Sequence, residues 1–189
     1  TDLPADPGAI PALYAIDGRP YLVVAATRTP VAKAPRGAFK SVHPADMLAH
    51  CLRHVVAQAP GIDHERIDDV IVGCAMPEGE QGMNVARIGA LLAGLPQSVS
   101  AQTINRFCSS GIDAISIAAL KIAAGQEQAV VAGGVEMMSR VPMLSDNGAW
   151  GSDPAIAIPT NFIPQGVSAD LIATIWGYSR SDLDALAVE

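Results

Sequence analysis

A cysteine with the surroundings of a nucleophile lies near the middle of the chain. Cys108 begins the run Cys-Ser-Ser-Gly, between the segment SVSAQTI, which reads as a buried strand, and the helical segment IDAISIAALKIAAG. The attacking form of a cysteine is the thiolate, and the N–H groups at a helix N-terminus stabilise that anion. Free cysteines are also common as small buried core residues. Spacing alone therefore leaves Cys108 open between packing and chemistry.

The helix after Cys108 is predicted to hold the cysteine in place. Gly111 is expected to let neighbouring backbone approach closely. The helix is apolar on nearly all sides, which predicts that it is buried. Its large apolar residues are Ile112, Ile115, Ile117, Leu120 and Ile122.

The other cysteines and the histidines give no sign of a metal site. Cys51 falls on the apolar face of a predicted helix and Cys74 at the end of a predicted strand, so both are predicted to be core residues. His50 and His54 share a helical face but have no third ligand nearby, and no CxxC pair occurs. The sequence therefore predicts no bound metal.

Three acidic residues could suggest acid–base chemistry. Glu78 and Glu80 fall in a predicted turn between a strand and a helix, and Glu136 in the segment GGVE, so a structural role is the simpler interpretation. The chain lacks GxGxxG, P-loop and HExxH motifs, which leaves nucleotide enzymes and zinc proteases without support.

Composition limits the function further. The chain has 189 residues, 50% of them hydrophobic and 16% charged, with a formal net charge of −7. These values predict one globular domain with an appendage, and they disfavour nucleic acid as a partner. No signal-peptide pattern and no apolar run of membrane-spanning length occurs, so we expect a cytoplasmic protein without a membrane span.

The apolar pattern predicts an α/β fold. Residues 1–20 are expected to form an irregular N-terminal arm, and residues 21–142 an α/β domain. Strands alternate with helices in this domain, which is typical of βαβ units and a mostly parallel sheet whose ligands bind at the carboxyl ends of the strands. The predicted strands lie at about 21–26 and in IDDVIVGCAM, SVSAQTI and QAVVAGGVEMMS, and the predicted helices in PADMLAHCLRHVVAQAPG, QGMNVARIGALLAGLP and IDAISIAALKIAAG.

The amino-acid composition changes after Pro142. Residues 143–189 begin with a long stretch rich in Pro, Gly, Asn and Ser, followed by the helical segments VSADLIATIWG and SRSDLDALAVE. The chain ends at Glu189 without a helix stop signal, so we expect that it is cut inside an element.

Several segments together resemble one enzyme family. The segment TINRFCSSGIDAISIAALKIAAG resembles the active-site cysteine segment of the thiolases, and ATRTPVAK, GCAMPEGEQGMNVARIGALLAGLP, AGGVEMMSRVP and GVSADLIATIWGYSRSDLDALAVE agree in collinear order. The resemblance covers residues 21–189 and the first half of a thiolase, and it is strongest for the degradative 3-ketoacyl-CoA branch. The ketoacyl-ACP synthases, which share the general fold, resemble EQGMNVAR and AGGVEMMS less well.

The resemblance implies a thiolase fold and an acyl transfer. Cys108 would take an acyl group from a 3-ketoacyl-CoA, release acetyl-CoA and pass the acyl group to CoA, or catalyse the reverse Claisen condensation. CoA thioesters are then substrates, and no cofactor is implied. Residues 143–189 would begin the loop domain, where Gln165 and Gly166 would contact the substrate. Many thiolases have a methionine before this glycine, so the polar Gln165 departs from the family pattern and bears on the acyl chain accepted.

The resemblance also implies missing parts. In the family a histidine base in a GHP motif, a second cysteine in a CxGGG-like motif and an asparagine come from the second half, and these motifs do not occur in this chain. We therefore expect activity only with a complementary C-terminal half, and a second copy across a twofold interface. The alternative is a non-catalytic thiolase-like subunit that binds acyl-CoA or a protein.

Overall fold

The computed structural model describes residues 12–16 and 19–189, and it divides into two compact units, Thr1–Asp146 and Asn147–Glu189. The strands of the first unit are β1 Ala12–Ile16, β2 Arg19–Val23, β3 Asp69–Gly73, β4 Ser100–Ile104 and β5 Val130–Gly134. Its helices are α1 Pro44–Ala57, α2 Val85–Leu92 and α3 Ser110–Ala123.

A parallel sheet lies at the centre of the first unit. The strand order is β4-β3-β5, and both neighbours run parallel to β3. Val70 of β3 lies opposite Ala101 on one side and Val131 on the other. The predicted mostly parallel sheet is confirmed, and the carboxyl ends of its strands share one edge.

Helices cover both faces of this sheet. Val70 and Val72 of β3 point into a core formed with α1 and α2, while Ile71 between them points to Ala114 and Ala118 of α3. Alternate residues of a strand face opposite sides, so a strand covered on both faces is apolar along its length. The small alanines of α3 allow this helix to lie close to the sheet.

The N-terminal region differs from the prediction. The predicted strand at 21–26 was expected in the sheet, but β2 pairs antiparallel with β1 in a separate two-stranded hairpin. The predicted irregular arm, residues 1–20, therefore contains β1, and its residues 1–11 and 17–18 lie outside the described residues.

Helix α2 begins later than predicted. The predicted helix started at Gln81, but Gly79–Gln81 form a 3₁₀ turn, and Met83 and Asn84 have φ angles of 52° and 64°. Left-handed residues end a right-handed helix, and Asn tolerates this region better than most residues. The Asn84 side chain then caps α2 by accepting a hydrogen bond from the N–H of Arg87 at 3.3 Å.

The second unit is helical. It contains α4 Ala149–Ser152, α5 Pro154–Ala157, α6 Gln165–Trp176 and α7 Arg180–Val188. The two predicted helices correspond to α6 and α7, whereas α4 and α5 occupy the stretch expected as a loop. Trp150 stacks on Phe162 with ring centroids 5.2 Å apart. Within the described part of the chain, no helix is long and apolar enough to cross a membrane.

Candidate active site

Cys108 lies beyond the carboxyl end of β4. A 3₁₀ turn at Phe107–Ser109 follows the strand and continues directly into α3. The Cys108 side chain is exposed, and it makes no hydrogen bond with any described residue. The predicted strand-to-helix junction is therefore present, and the thiol at this junction is open to a ligand.

Side-chain hydrogen bonds hold the turn around Cys108. Phe107 has a φ of 47°, which is uncommon for a residue with a side chain. Asn105 accepts a hydrogen bond from the Phe107 N–H at 2.8 Å through Oδ1. Ser110 Oγ accepts from the Arg106 N–H at 2.8 Å and donates to the Phe107 carbonyl at 2.6 Å. These bonds stabilise a backbone conformation that the turn alone would disfavour.

The N-terminus of α3 is suited to a negative charge. The Ser109 side chain makes no capping hydrogen bond to α3, and the Ser110 N–H donates to the Phe107 carbonyl of the preceding turn. Asp113 in the first turn pairs with Arg106 at 3.0 Å, which offsets the carboxylate charge on this side. A thiolate at Cys108 would lie in the favourable field of the helix N-terminus.

The close backbone approach involves a different glycine from the one predicted. A Cβ on Gly73, the last residue of β3, would overlap the Ser110 carbonyl and lie 2.6 Å from the Gly111 nitrogen. A Cβ on Gly111 itself would meet nothing within 4 Å. The absence of a side chain at Gly73 therefore lets the first turn of α3 rest on the end of β3.

Helix α3 is buried on one face only. Ala114, Ala118 and Ala119 are buried, but Ile112 is 69% exposed and Leu120 53%. The prediction of a helix buried on all sides is therefore wrong for this chain. The exposed face, formed by Ile112, Ile115, Ser116 and Leu120, is apolar apart from the serine, and β1 and β2 also contact α3.

The other two cysteines have different surroundings. Cys74 is buried, and burial together with the nearby Glu136 charge raises the pKa of its thiol to about 12. Cys51 is half-buried, and burial raises the pKa of its thiol too. The core prediction is confirmed for Cys74, while Cys51 lies at the margin of the core.

The three acidic residues all have structural partners. Glu80 pairs with Arg140 at 2.6 Å, and this hydrogen bond lowers the pKa of the Glu80 carboxyl. Glu78 accepts a hydrogen bond from the Ser145 hydroxyl at 3.0 Å. Glu136 accepts one from the Ala75 N–H at 2.7 Å. These contacts agree with the structural interpretation made from sequence.

No described histidine reaches Cys108. His43 caps α1, with Nδ1 accepting from the Ala45 N–H at 3.2 Å. The His50 and His54 rings lie 4.1 Å apart on the same helix. Within residues 12–16 and 19–189, no group of three or more His, Cys, Asp or Glu residues could hold a metal ion.

The predicted substrate residues Gln165 and Gly166 belong to the second unit. They form the first turn of α6, and both are exposed. A Cβ added at Gly166 would meet nothing within 4 Å, so local space does not require glycine there.

The N-terminal domain of the thiolases matches residues 21–189, which is most of the chain. The chain belongs to the thiolase family. It is 43% identical over 167 residues to a 3-ketoacyl-CoA thiolase of Bacillus subtilis, a match that covers 88% of this chain and 42% of that protein. It is 51% identical over 122 residues to a 3-oxoadipyl-CoA/3-oxo-5,6-dehydrosuberyl-CoA thiolase of Escherichia coli, covering 65% of this chain and 30% of that one.

Structural similarity agrees with the family. The crystal structure of the Bacillus anthracis acetyl-CoA acetyltransferase superposes with a TM-score of 0.53 and 42% sequence identity, over 56% of this chain and 26% of that one. This thiolase-family chain thus spans less than half of the length of these relatives, and it corresponds to their N-terminal portion.

Proposed function

We propose that this chain is the N-terminal portion of an acetyl-CoA C-acyltransferase and that Cys108 is its acyl-accepting nucleophile. The observation that carries the proposal is the position of Cys108 in a family member. It is an exposed thiol in the turn that leads from a parallel strand into the N-terminus of α3. Two relatives are named as thiolases that act on 3-oxoacyl-CoA compounds.

The reaction has two covalent steps. The Cys108 thiolate attacks the 3-keto carbonyl carbon, the C2–C3 bond breaks, and its electron pair leaves with C2, which takes a proton to give acetyl-CoA. The thiolate of a second CoA then attacks the acyl thioester, and the Cys108 thiolate leaves. The N-terminus of α3 favours the anionic Cys108 sulfur both when it attacks and when it leaves. The reverse sequence is a Claisen condensation.

A complementary C-terminal portion is needed for turnover. The proton transfers require a base, and no described histidine contacts Cys108. The exposed apolar face of α3 supports a missing packing partner, because patches of this kind in soluble proteins usually mark interaction sites. Under the proposal, the partner covers this face and supplies the histidine and second cysteine.

Three further assignments belong to the same proposal. Gln165 and Gly166 contact the substrate, a second copy associates across a twofold interface, and the protein acts in the cytoplasm on acyl-CoA compounds of fatty acid degradation. Their support is the family relationship and the names of the relatives.

A second candidate function is a thiolase-like subunit that binds acyl-CoA or a protein without chemistry. No described histidine is hydrogen-bonded to the Cys108 thiol, which favours this candidate. The two functions differ in whether Cys108 becomes acylated.

Complementation tests the proposal. The chain is mixed with the C-terminal portion of the Bacillus subtilis relative, and thiolysis of a 3-ketoacyl-CoA is measured. Cys108→Ala should lower the thiolysis rate by on the order of 10³-fold or more. Loss of one member of a catalytic unit removes most of the rate enhancement of the whole unit. Cys51→Ala is the matched control and should retain the rate. Equal activity of Cys108→Ala and the unmodified chain would refute the proposal.

A further inference from the structure

A partly buried hydrogen-bond network joins the carboxyl ends of β3 and β5, and the proposed reaction steps do not use it. Gln81 is fully buried, and its side-chain Oε1 accepts from the Met137 N–H at 2.6 Å. Its Nε2 group lies 2.8 Å from the Met76 carbonyl, 2.8 Å from Glu136 Oε1 and 3.3 Å from Cys74 Sγ. Both polar atoms of the Gln81 amide are therefore satisfied inside the protein.

The Glu136 carboxylate completes the network. Its second oxygen, Oε2, accepts from the Ala75 N–H at 2.7 Å. One carboxylate thus ties the segment after β5 to the segment after β3, and Gln81 ties both to the loop before α2. We call Ala75, Met76, Gln81, Glu136 and Met137 the strand-end network. Networks in which buried polar groups are satisfied hold one backbone arrangement, because any other leaves a group unpaired.

Backbone hydrogen bonds connect the strand-end network to the segments that precede and support Cys108. The Cys74 N–H donates to the Ile104 carbonyl at 3.0 Å, which fixes the last residue of β4, four positions before Cys108. The Val135 N–H donates to the Gly73 carbonyl at 3.0 Å. Gly73 is the residue on which the first turn of α3 rests. The network therefore helps to fix the position of β4, which precedes Cys108. It also helps to fix Gly73, on which the first turn of α3 rests.

We infer that Gln81 and Glu136 are positioning residues for Cys108. They hold the ends of β3, β4 and β5 in the arrangement that places the thiol, and neither side chain is hydrogen-bonded to Cys108 itself. The inference rests on the proposed function, since position matters to catalysis only if Cys108 accepts the acyl group. A displacement of about 1 Å at a reacting atom is enough to slow an enzymatic step by on the order of 10²-fold.

The test uses the chain complemented with the C-terminal portion of the Bacillus subtilis relative. The variants are Gln81→Met, which keeps the side-chain length but removes the hydrogen bonds, and Glu136→Gln, which keeps the shape but removes the charge. Glu80→Gln is the matched control, because Glu80 lies in the same loop but is partly exposed and bonded to Arg140. The readouts are single-turnover acylation of Cys108 by a 3-ketoacyl-CoA, and the pH profile of its alkylation by iodoacetamide.

The two variants should lower the saturated acylation rate by roughly 10- to 100-fold and leave the KM within about twofold of the unmodified value. The control should behave as the unmodified chain. Folded variants with unchanged rates would overturn the inference, as would a loss that only follows the unfolded fraction measured by circular dichroism. If Gln81→Met does not fold, the acylation rate of the isosteric variant Glu136→Gln decides whether the inference holds.

The result also separates the two proposals. If the unmodified complex shows no acylation at Cys108, the proposed function fails, and the alkylation profile decides the positioning inference. A changed rate or midpoint of Cys108 alkylation in the variants supports positioning. Profiles identical to that of the unmodified chain contradict it.

Discussion

At the residue scale, exposure separates the three cysteines into different chemical classes. Cys108 is exposed at the start of a helix, whereas Cys74 lies within the sheet core with a thiol pKa raised to about 12 by burial and by the Glu136 charge. A thiol with a pKa this high carries almost no thiolate near neutral pH, so Cys74 is no alternative nucleophile in this chain.

Alkylation should therefore discriminate between these two thiols. Iodoacetamide near neutral pH should modify Cys108 rapidly and leave Cys74 unmodified, because one side chain is exposed and the other is buried and protonated. Peptide mass spectrometry locates the label, and the chain unfolded in guanidinium is the control in which both react. Equal labelling in the folded chain would contradict the described core.

A buried ion pair beside the sheet gives a second residue-scale prediction. Lys121 Nζ lies 2.7 Å from Asp69 Oδ2 and 2.7 Å from Glu127 Oε1, and the Asp69 side chain is only 4% exposed. Burial raises the pKa of the Asp69 carboxyl, but hydrogen bonds from Lys121, Gln102 and Ser100 outweigh it and leave the pKa below its ordinary value. The ionised form of Asp69 is thus stabilised by folding.

The sign of the pH dependence follows from this lowered pKa. Asp69 contributes stability above its unfolded pKa, about 3.9, and the contribution is lost as the pH falls through the lower folded pKa. Lys121→Met should lower the free energy of unfolding at neutral pH by about 3 kcal/mol, because it leaves the buried Asp69 carboxylate without a cationic partner, and it should flatten the loss of stability on acidification. Urea unfolding at several pH values measures both effects.

The control for this variant is Arg180→Met, which removes an exposed pair with Asp184. Exposed pairs are screened by water, so this change should have no measurable effect. A similar stability for Lys121→Met and the unmodified chain would show that the buried pair is unimportant.

Sequence reasoning at this scale succeeds for motifs and fails for contacts. The run after Asn105 predicted a strand-to-helix junction at Cys108, because local composition determines such junctions. Nothing local marks Gln81 or Asp69 as buried, since their partners are 55 and 52 positions away at Glu136 and Lys121. Only the sheet brings these groups together.

At the element scale, the packing of α3 on the end of β3 depends on one glycine. Gly73 has no side chain where the Ser110 carbonyl and the Gly111 nitrogen pass close to its Cα. Backbone cannot yield as the end of a flexible side chain can, so any side chain at this position must displace the helix.

Gly73→Ala should therefore destabilise the chain by about 3 kcal/mol and change the alkylation rate of Cys108, because it moves the first turn of α3. Gly111→Ala is the matched control, since an added Cβ there meets nothing within 4 Å. This control should be neutral or stabilising by up to about 1 kcal/mol, because alanine favours a helix over glycine. Thermal unfolding and alkylation kinetics give the two readouts, and equal stability of the two variants would contradict the described packing.

The elements themselves were largely predictable. Alternating apolar segments and turn residues predicted β3, β4, β5 and all three helices of the first unit, because burial on both faces of a parallel sheet leaves a strong pattern. The errors concern the start of α2 and the pairing of the N-terminal strands. Met83 and Asn84 take left-handed conformations that helical periodicity does not reveal, and β2 pairs with β1 because pairing is a tertiary property that propensity does not determine.

At the scale of the whole molecule, the apolar face of α3 is a departure from a self-sufficient domain. Ile112, Ile115 and Leu120 are each at least half exposed on α3, the helix that follows the turn with Cys108. The chain also spans 42% of the length of its Bacillus subtilis relative. Under the proposed function, a partner that covers this face would bring its catalytic groups to Cys108.

Ile112→Glu should consequently prevent complementation while leaving the isolated chain folded. The substitution puts a charge on the face that the proposed partner would cover, and burying an unpaired charge costs several kcal/mol. Val31→Glu, at a residue 94% exposed outside this face, is the control and should assemble normally. Size-exclusion chromatography with the C-terminal portion of the relative measures assembly. Normal assembly of Ile112→Glu would place the interface elsewhere.

The most direct test of the account is the location of the acyl group during turnover. The complemented protein is mixed with a 3-ketoacyl-CoA in the absence of free CoA, quenched in acid, and mapped by peptide mass spectrometry. We predict one acyl group, on the peptide that contains Cys108, which disappears when CoA is added and does not form in Cys108→Ala. Turnover without an acyl group on Cys108, or with the acyl group on another residue, would contradict the account.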